Sequence, residues 1–190
     1  NDYYKIADFE YEKLFKLILG WLVDLGRQKK VWFIRVSPMI EDNESNRALF
    51  KKLGLHSAPI HRLDAEVCWV LDLDPSLPEL LSGMRKTTRY LIRNAERIGV
   101  TVAETYDLTK FLDLYKRTAA RHRFVPHRGI SEEYQLFSKK GQAVLLLAKY
   151  QNQILAGAII LFWGNQAIYH HSASLPTKIP GNYLLQCRAI

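Results

Sequence analysis

Apolar residues recur at Phe9, Leu14, Leu17, Ile18, Trp21, Leu22 and Leu25, which is the spacing of one helix face over residues 8–26. The period then changes. Residues 31–36 form a short, nearly continuous apolar run, the pattern of a strand buried on both sides. Helical spacing returns over 44–53 and stops at Gly54, and residues 66–73 read as a further strand. These elements predict a β-α-β-like block with helices packed on a sheet. After Pro75-Ser76 a long helix is expected over 77–98, ended by Gly99, then a strand over 99–104. A helix over 107–122 follows with Asp107 as its N-cap, and a short helix over 131–138. The alternating runs 143–150 and 153–163 flank Gln151-Asn152 and predict a hairpin. Gly164-Asn165 turns the chain into a last strand, 166–172, and another helix begins at Tyr183. The second block is therefore an antiparallel meander beside helices.

With 48% hydrophobic and 12% aromatic residues, the 190-residue chain can bury a core, as one domain or two small ones. The net charge of +8 and pI near 9.5 point to an anionic partner: RNA, a phosphorylated sugar or a membrane surface. No apolar run approaches the roughly 18 residues of a spanning helix. The longest, 154–163, is broken by Gly157. There is no signal-peptide pattern behind Asn1. Of the two cysteines, Cys68 and Cys187, the first lies in an apolar strand pattern and is expected to be a buried reduced thiol. The expected compartment is cytoplasmic.

Charge is concentrated in one place. Arg85, Arg89, Arg93 and Arg97 follow at i,i+4 spacing, so their guanidinium groups form one slanting stripe along a helix. With Lys86, five cations face only Glu96 between residues 85 and 97. On spacing alone such a face is usually a solvated surface. Its functional reading is a surface for a polyanion.

The whole phrase around the stripe narrows the choice. The Leu71-Asp72-Leu73 strand end, the acidic-apolar helix start, and the run from Met84-Arg85-Lys86-Thr87-Thr88-Arg89 to Ala95-Glu96-Arg97-Ile98-Gly99-Val100 resemble the FemABX family of peptidoglycan bridge-forming aminoacyltransferases. The resemblance implies an α/β fold of two GNAT-like units with mixed sheets: residues 1–75 as the C-terminal part of the first, 76–190 as the N-terminal part of the second. Family members are longer at both ends, so this chain is expected to be part of a longer protein. Residues 145–161 resemble the central GNAT hairpin, with Ala156-Gly157-Ala158 as a small-residue stretch where a helix or ligand can approach the sheet closely. One ordinary α/β domain is the plainer alternative.

A GNAT-type acetyl-CoA site cradles pyrophosphate on a glycine-rich loop opening a helix. Residues 172–182 hold one glycine and two prolines without such spacing, so no cofactor is expected. The resemblance implies aminoacyl-tRNA as the donor. It also implies that Tyr169 lines the acceptor or transfer site, although an aromatic on a strand is more commonly half-buried packing. Tyr115 to Phe124 resembles the family's helix end, which implies that Arg121 grips substrate phosphates, with Tyr134 a further substrate-binding candidate. A cation there also simply complements the helix dipole. His170 and His171, as strand neighbours, should point to opposite faces and share no metal, and family members usually have small residues there. His122 and His127 lack further ligands at metal spacing. No metal site is expected, and no motif for a protein nucleophile is present.

The implied function is transfer of an amino acid from aminoacyl-tRNA to the stem peptide of a nucleotide- or lipid-linked muropeptide. Peripheral contact with the cytoplasmic membrane face is compatible with the charge, and no DNA partner is expected. Two alternatives stand beside it. One is a non-catalytic RNA- or membrane-surface-binding module using the cationic helix alone, and the other a GNAT-fold N-acyltransferase with a different acyl donor.

Overall fold

The computed structural model describes residues 8–38, 40–58 and 69–190, with side chains from residue 12 onward. The chain divides into two compact units, residues 1–70 and 71–190. The expected boundary lay at 75/76.

In the first unit, α1 spans Asp8–Gln28 and α2 spans Glu44–Lys52. Asn43 caps α2 by accepting the Asn46 amide at 2.9 Å, satisfying one of the orphan donors of a helix start. The two helices are tied by Glu12, whose carboxylate accepts the ammonium groups of Lys16 at 2.7 Å and Lys52 at 2.9 Å. Those hydrogen bonds, Lys16 foremost, pull its pKa down to about 2. The rings of Phe15 and Phe50 meet edge to face, 5.1 Å apart.

Residues 31–36 are not a strand, contrary to the pattern. No strand pairs with them among the described residues, and Trp32 is 99% exposed where a doubly buried strand would hide it. The chain instead turns at Lys30 in a left-handed conformation, and the Val31 amide donates to Gly26 O at 3.0 Å. A Cβ on Gly26 would stand 2.8 Å from Ile34 Cδ1 and 3.1 Å from Val31 Cγ2, so these apolar side chains pack on the end of α1. The run thus touches the end of α1 through Val31 and Ile34, while Trp32 and Phe33 stay exposed. The strand expected over 66–73 is not seen at 69–73, and its first residues, with Cys68, lie outside the described residues.

The second unit contains α3 (Leu77–Gly83), α4 (Lys86–Arg97), β1 (Thr101–Glu104), α5 (Leu108–His122), α6 (Ile130–Ser138), β2 (Ala143–Tyr150), β3 (Gln153–Trp163), β4 (Gln166–Ser174) and α7 (Gly181–Ala189). The four strands form one antiparallel sheet in the order β1-β2-β3-β4. The fold is mixed α/β with an antiparallel sheet. The described residues of the first unit contribute no strand.

The expected helix over 77–98 is two helices. Glu79 accepts both the amide and the hydroxyl of Ser76, fixing the start of α3. After Gly83, Met84 and Arg85 are extended, with ψ of 154° and 142°. Arg89 reaches back from α4 and donates to the carbonyls of Ser82 (2.9 Å) and Met84. A stripe member thus satisfies the orphan carbonyls where α3 ends.

Helices cover both faces of the sheet. On one, α4 and α7 bury Ile92, Ala95, Leu184 and Leu185 against Ala148, Ala156, Ala158 and Ile160. On the other, α5 and α6 bury Phe111, Leu114, Tyr115 and Ile130 against Leu145, Leu147, Ile159 and Leu161. Strand β3 is buried from Leu155 to Leu161, so its near-continuous apolar run is that of a strand with two covered faces. At Gly157 α5 packs directly on the sheet. A Cβ there would lie 2.8 Å from Leu147 Cδ2 and 2.9 Å from Phe111 Cδ2. The small-residue stretch therefore admits a helix.

Gly157→Ala should overpack this contact and cost about 1–3 kcal/mol of stability. Denaturant unfolding checks it, and an unchanged midpoint would mean that Phe111 moves aside freely.

Candidate functional site

Among the described residues strand β4 lies at the edge of the sheet, and its pairing with β3 is irregular. Ile159 faces His171 and Ile160 faces Tyr169, which leaves His170 as an extra, unpaired residue. Such a bulge breaks the alternation of side chains. The two histidines do not point to opposite faces, as strict alternation predicted. Both turn to Glu133 in the first turn of α6: His170 Nε2 is 2.9 Å from Oε1, and His171 Nε2 is 3.2 Å from Oε2. Their rings lie 4.1 Å apart. His171 is buried, with the rings of Tyr115 and His127 at 6.0 and 5.5 Å. Burial lowers its pKa, His170 adds to that effect, and Glu133 opposes it. Residue types alone announce no bulge, so Glu133 was missed.

Tyr169 occupies the other face. Its cross-strand partner, Ile160, belongs to the core beneath α4 and α7. The phenol is 38% exposed. Burial of the remainder raises its pKa, while hydrogen bonding with the Ser172 and Gln186 side chains counteracts this.

Arg121 ends α5 and is exposed. Its Nη1 donates to Ser174 O at 2.7 Å, and its Nε and Nη2 stand 3.3 and 3.1 Å from His122 Nε2. One turn earlier, the buried Thr118 hydroxyl accepts the Ser174 amide at 3.2 Å. It also stands 2.9 Å from Leu114 O and 3.1 Å from Ser174 O, and its single proton can serve one of these carbonyls at a time. Thr118 and Arg121 together fasten the end of β4 to α5. Since α5 and Tyr169 belong to opposite sides of the sheet, the structure does not bring Arg121 and Tyr169 together.

Tyr134 lies in the core beneath α5 and α6, 5% exposed, with its hydroxyl 3.4 Å from Thr105 O. Burial is the main cause of its raised pKa, with Glu104 and Tyr106 adding to it. Its ring is part of the packed core on this side of the sheet.

The stripe divides by task. Arg89 holds the α3–α4 junction, whereas Arg85, Lys86, Arg93 and Arg97 are exposed. Arg97 donates to Asn94 Oδ1 at 2.7 Å, and none of these four has a carboxylate partner among the described residues. Glu96, the one acid of the segment, is held by Arg188 of α7 at 2.9 Å. Ile92 and Ala95 bury the opposite side of α4, which directs the cations outward.

At the start of α7 the single glycine of residues 172–182, Gly181, is held in tight packing. The Gly181 amide donates to Ile179 O at 2.8 Å, and a Cβ on Gly181 would stand 2.8 Å from Leu155 Cδ1. That glycine serves close packing.

A four-stranded antiparallel meander between helical layers, carrying a cationic helix on one side, defines the class of fold. The FemAB family matches residues 5–134, well over half of the chain, and the protein belongs to that family. The fold is similar to that in the crystal structure of FemX, with a TM-score of 0.71 over 96% of this chain at 17% identity. The chain spans 65% of the length of that protein. No curated protein matches the sequence.

Thr118→Val should deprive the Ser174 amide of its acceptor and lower stability by about 1–3 kcal/mol. A wild-type denaturation midpoint in this variant would show the tie to be dispensable.

Proposed function

We propose that this protein is part of an aminoacyltransferase that moves an amino acid from aminoacyl-tRNA to the stem peptide of a peptidoglycan precursor. The observation that carries the reading is the FemAB-family match over residues 5–134, which includes the whole cationic helix α4. The reaction makes a peptide bond when an amine attacks the ester carbonyl of the charged tRNA. Its main demands are positioning of the two reactants and movement of one proton. A protein nucleophile is not required, in keeping with the lack of any such motif.

In this reading Arg85, Lys86, Arg93 and Arg97 contact the RNA backbone, and Arg89 supports them by holding the helix junction. Tyr169 lies beside the acceptor amine, with its hydroxyl positioned by Ser172 and Gln186. Arg121 binds the precursor with the N–H groups not spent on Ser174. Tyr134 acts from the core by holding α6 in place. The precursor is nucleotide- or lipid-linked, and the reaction belongs to the cytoplasmic side of the membrane. No helix among the described residues is long and apolar enough to cross a membrane.

A second reading, an RNA-binding module without catalysis, draws on the same unpaired cations. One measurement tests the cations that both readings use, and a second separates the two. Arg85→Ala combined with Arg93→Ala should weaken tRNA binding and reduce the slope of log affinity against log salt by about 0.7 to 0.9 per lost phosphate contact. Unchanged affinity and slope in the folded variant would reduce α4 to a solvated surface.

Tyr169→Phe in the full-length protein should lower the turnover of labelled amino acid transfer to a muropeptide by about 10- to 150-fold, with little change in KM. Arg121→Ala should mainly raise KM for the precursor. A wild type that binds tRNA but transfers to no muropeptide would favour the binding module.

A further inference from the structure

We propose that Glu133, His170 and His171 form a binding site for a divalent transition metal ion of the Zn²⁺ class, on the sheet face opposite Tyr169. The inference rests on the geometry of the bulge and is independent of the transferase reading. One ligand atom from each residue lies within 4.8 Å of the others. Both imidazole Nε2 atoms already approach a single carboxylate, at 2.9 and 3.2 Å. A zinc ion bound at about 2.0–2.2 Å holds neighbouring tetrahedral ligands about 3.3 Å apart. The two histidine–carboxylate contacts are thus already close to that spacing, and all three ligand atoms lie within reach of one ion.

The chemistry of the donors selects the ion. Two imidazoles and one carboxylate suit Zn²⁺, Co²⁺ or Ni²⁺, whereas Mg²⁺ and Ca²⁺ prefer all-oxygen shells. Each imidazole can present neutral Nε2 to the metal while Nδ1 carries the proton. His171 is buried, but the side chains of His170 and Glu133 are about one-third exposed, which gives an ion a way in. Three protein ligands leave a fourth position for water, for substrate, or for His127, whose ring lies 5.5 Å from that of His171. Bound metal would also reinforce the link between α6 and β4 that Glu133 already makes.

The alternative is a hydrogen-bonded cluster in which each histidine donates to one carboxylate oxygen. The two differ in a titration. Tag-free full-length protein, freed of metal by a chelator, is titrated with Co²⁺ while the visible d–d absorption is followed, and then with Zn²⁺ in competition. Saturation at one equivalent is expected, with the cobalt signal displaced by zinc. Glu133→Gln and His170→Asn should each weaken binding by at least about 10- to 100-fold, the range seen when even an outer-shell partner is lost. His56→Gln, a histidine of the other unit, should leave it unchanged. Absence of saturable binding by the wild type would overturn the proposal without need of any variant. So would binding that survives both ligand substitutions, or that disappears with His56.

Discussion

The second unit depends on the double burial of β3. A strand covered on both faces must satisfy its backbone through its two neighbours, and β2 and β4 do this along nearly its whole length. The burial in turn demands that two helical layers approach one sheet closely. On the α7 side Ala156 and Ala158 keep the surface low beneath Leu184 and Leu185. On the α5 side Gly157 removes the last obstacle to Phe111. The positions of α5 and α7, and so of Arg121 and Gln186, follow from the small residues of a single strand.

The edge of the sheet is held differently. Among the described residues β4 has a neighbour on one side only, and contacts from α5 and α6 reinforce its position. Thr118 and Arg121 grip Ser174 at its end, while Glu133 meets the two histidines in its middle. All these contacts are polar, and they include Arg121, His170 and His171, which the sequence alone brings to notice. The same groups therefore serve architecture and remain candidates for ligand binding. An Arg121 guanidinium with one N–H fixed by a backbone carbonyl is pre-oriented, and its remaining donors lose less freedom on meeting an anion.

The cationic helix shows a similar division. Helix α4 buries Ile92 and Ala95, spends Arg89 on the carbonyls of the preceding helix, and leaves its other cations outside. Glu96 could have neutralised a neighbouring arginine on the stripe, but Arg188 of α7 holds it. The positive surface is thus maintained by tertiary structure, since the one acid in the segment is tied to another helix.

The sequence by itself determined the local elements of the second unit. Hairpin 143–163, the turn at Gly164-Asn165 and the helices at 107–122 and 131–138 follow from periodicity and turn chemistry, which act over a few residues. The same reading failed at 31–36, where an apolar run packs on a helix end, and at Met84-Arg85, where the helix pattern conceals a break capped from Arg89. Apolar character at 31–36 marks neither a strand nor burial, since Val31, Trp32, Phe33 and Ile34 are all exposed. Tertiary structure alone decided that Tyr169 and Arg121 stand on opposite faces, because that depends on which helix covers which side of the sheet. It also decided that His170 and His171 converge on Glu133. A bulge is set by the register between two strands, and register is a property of the pair rather than of either sequence.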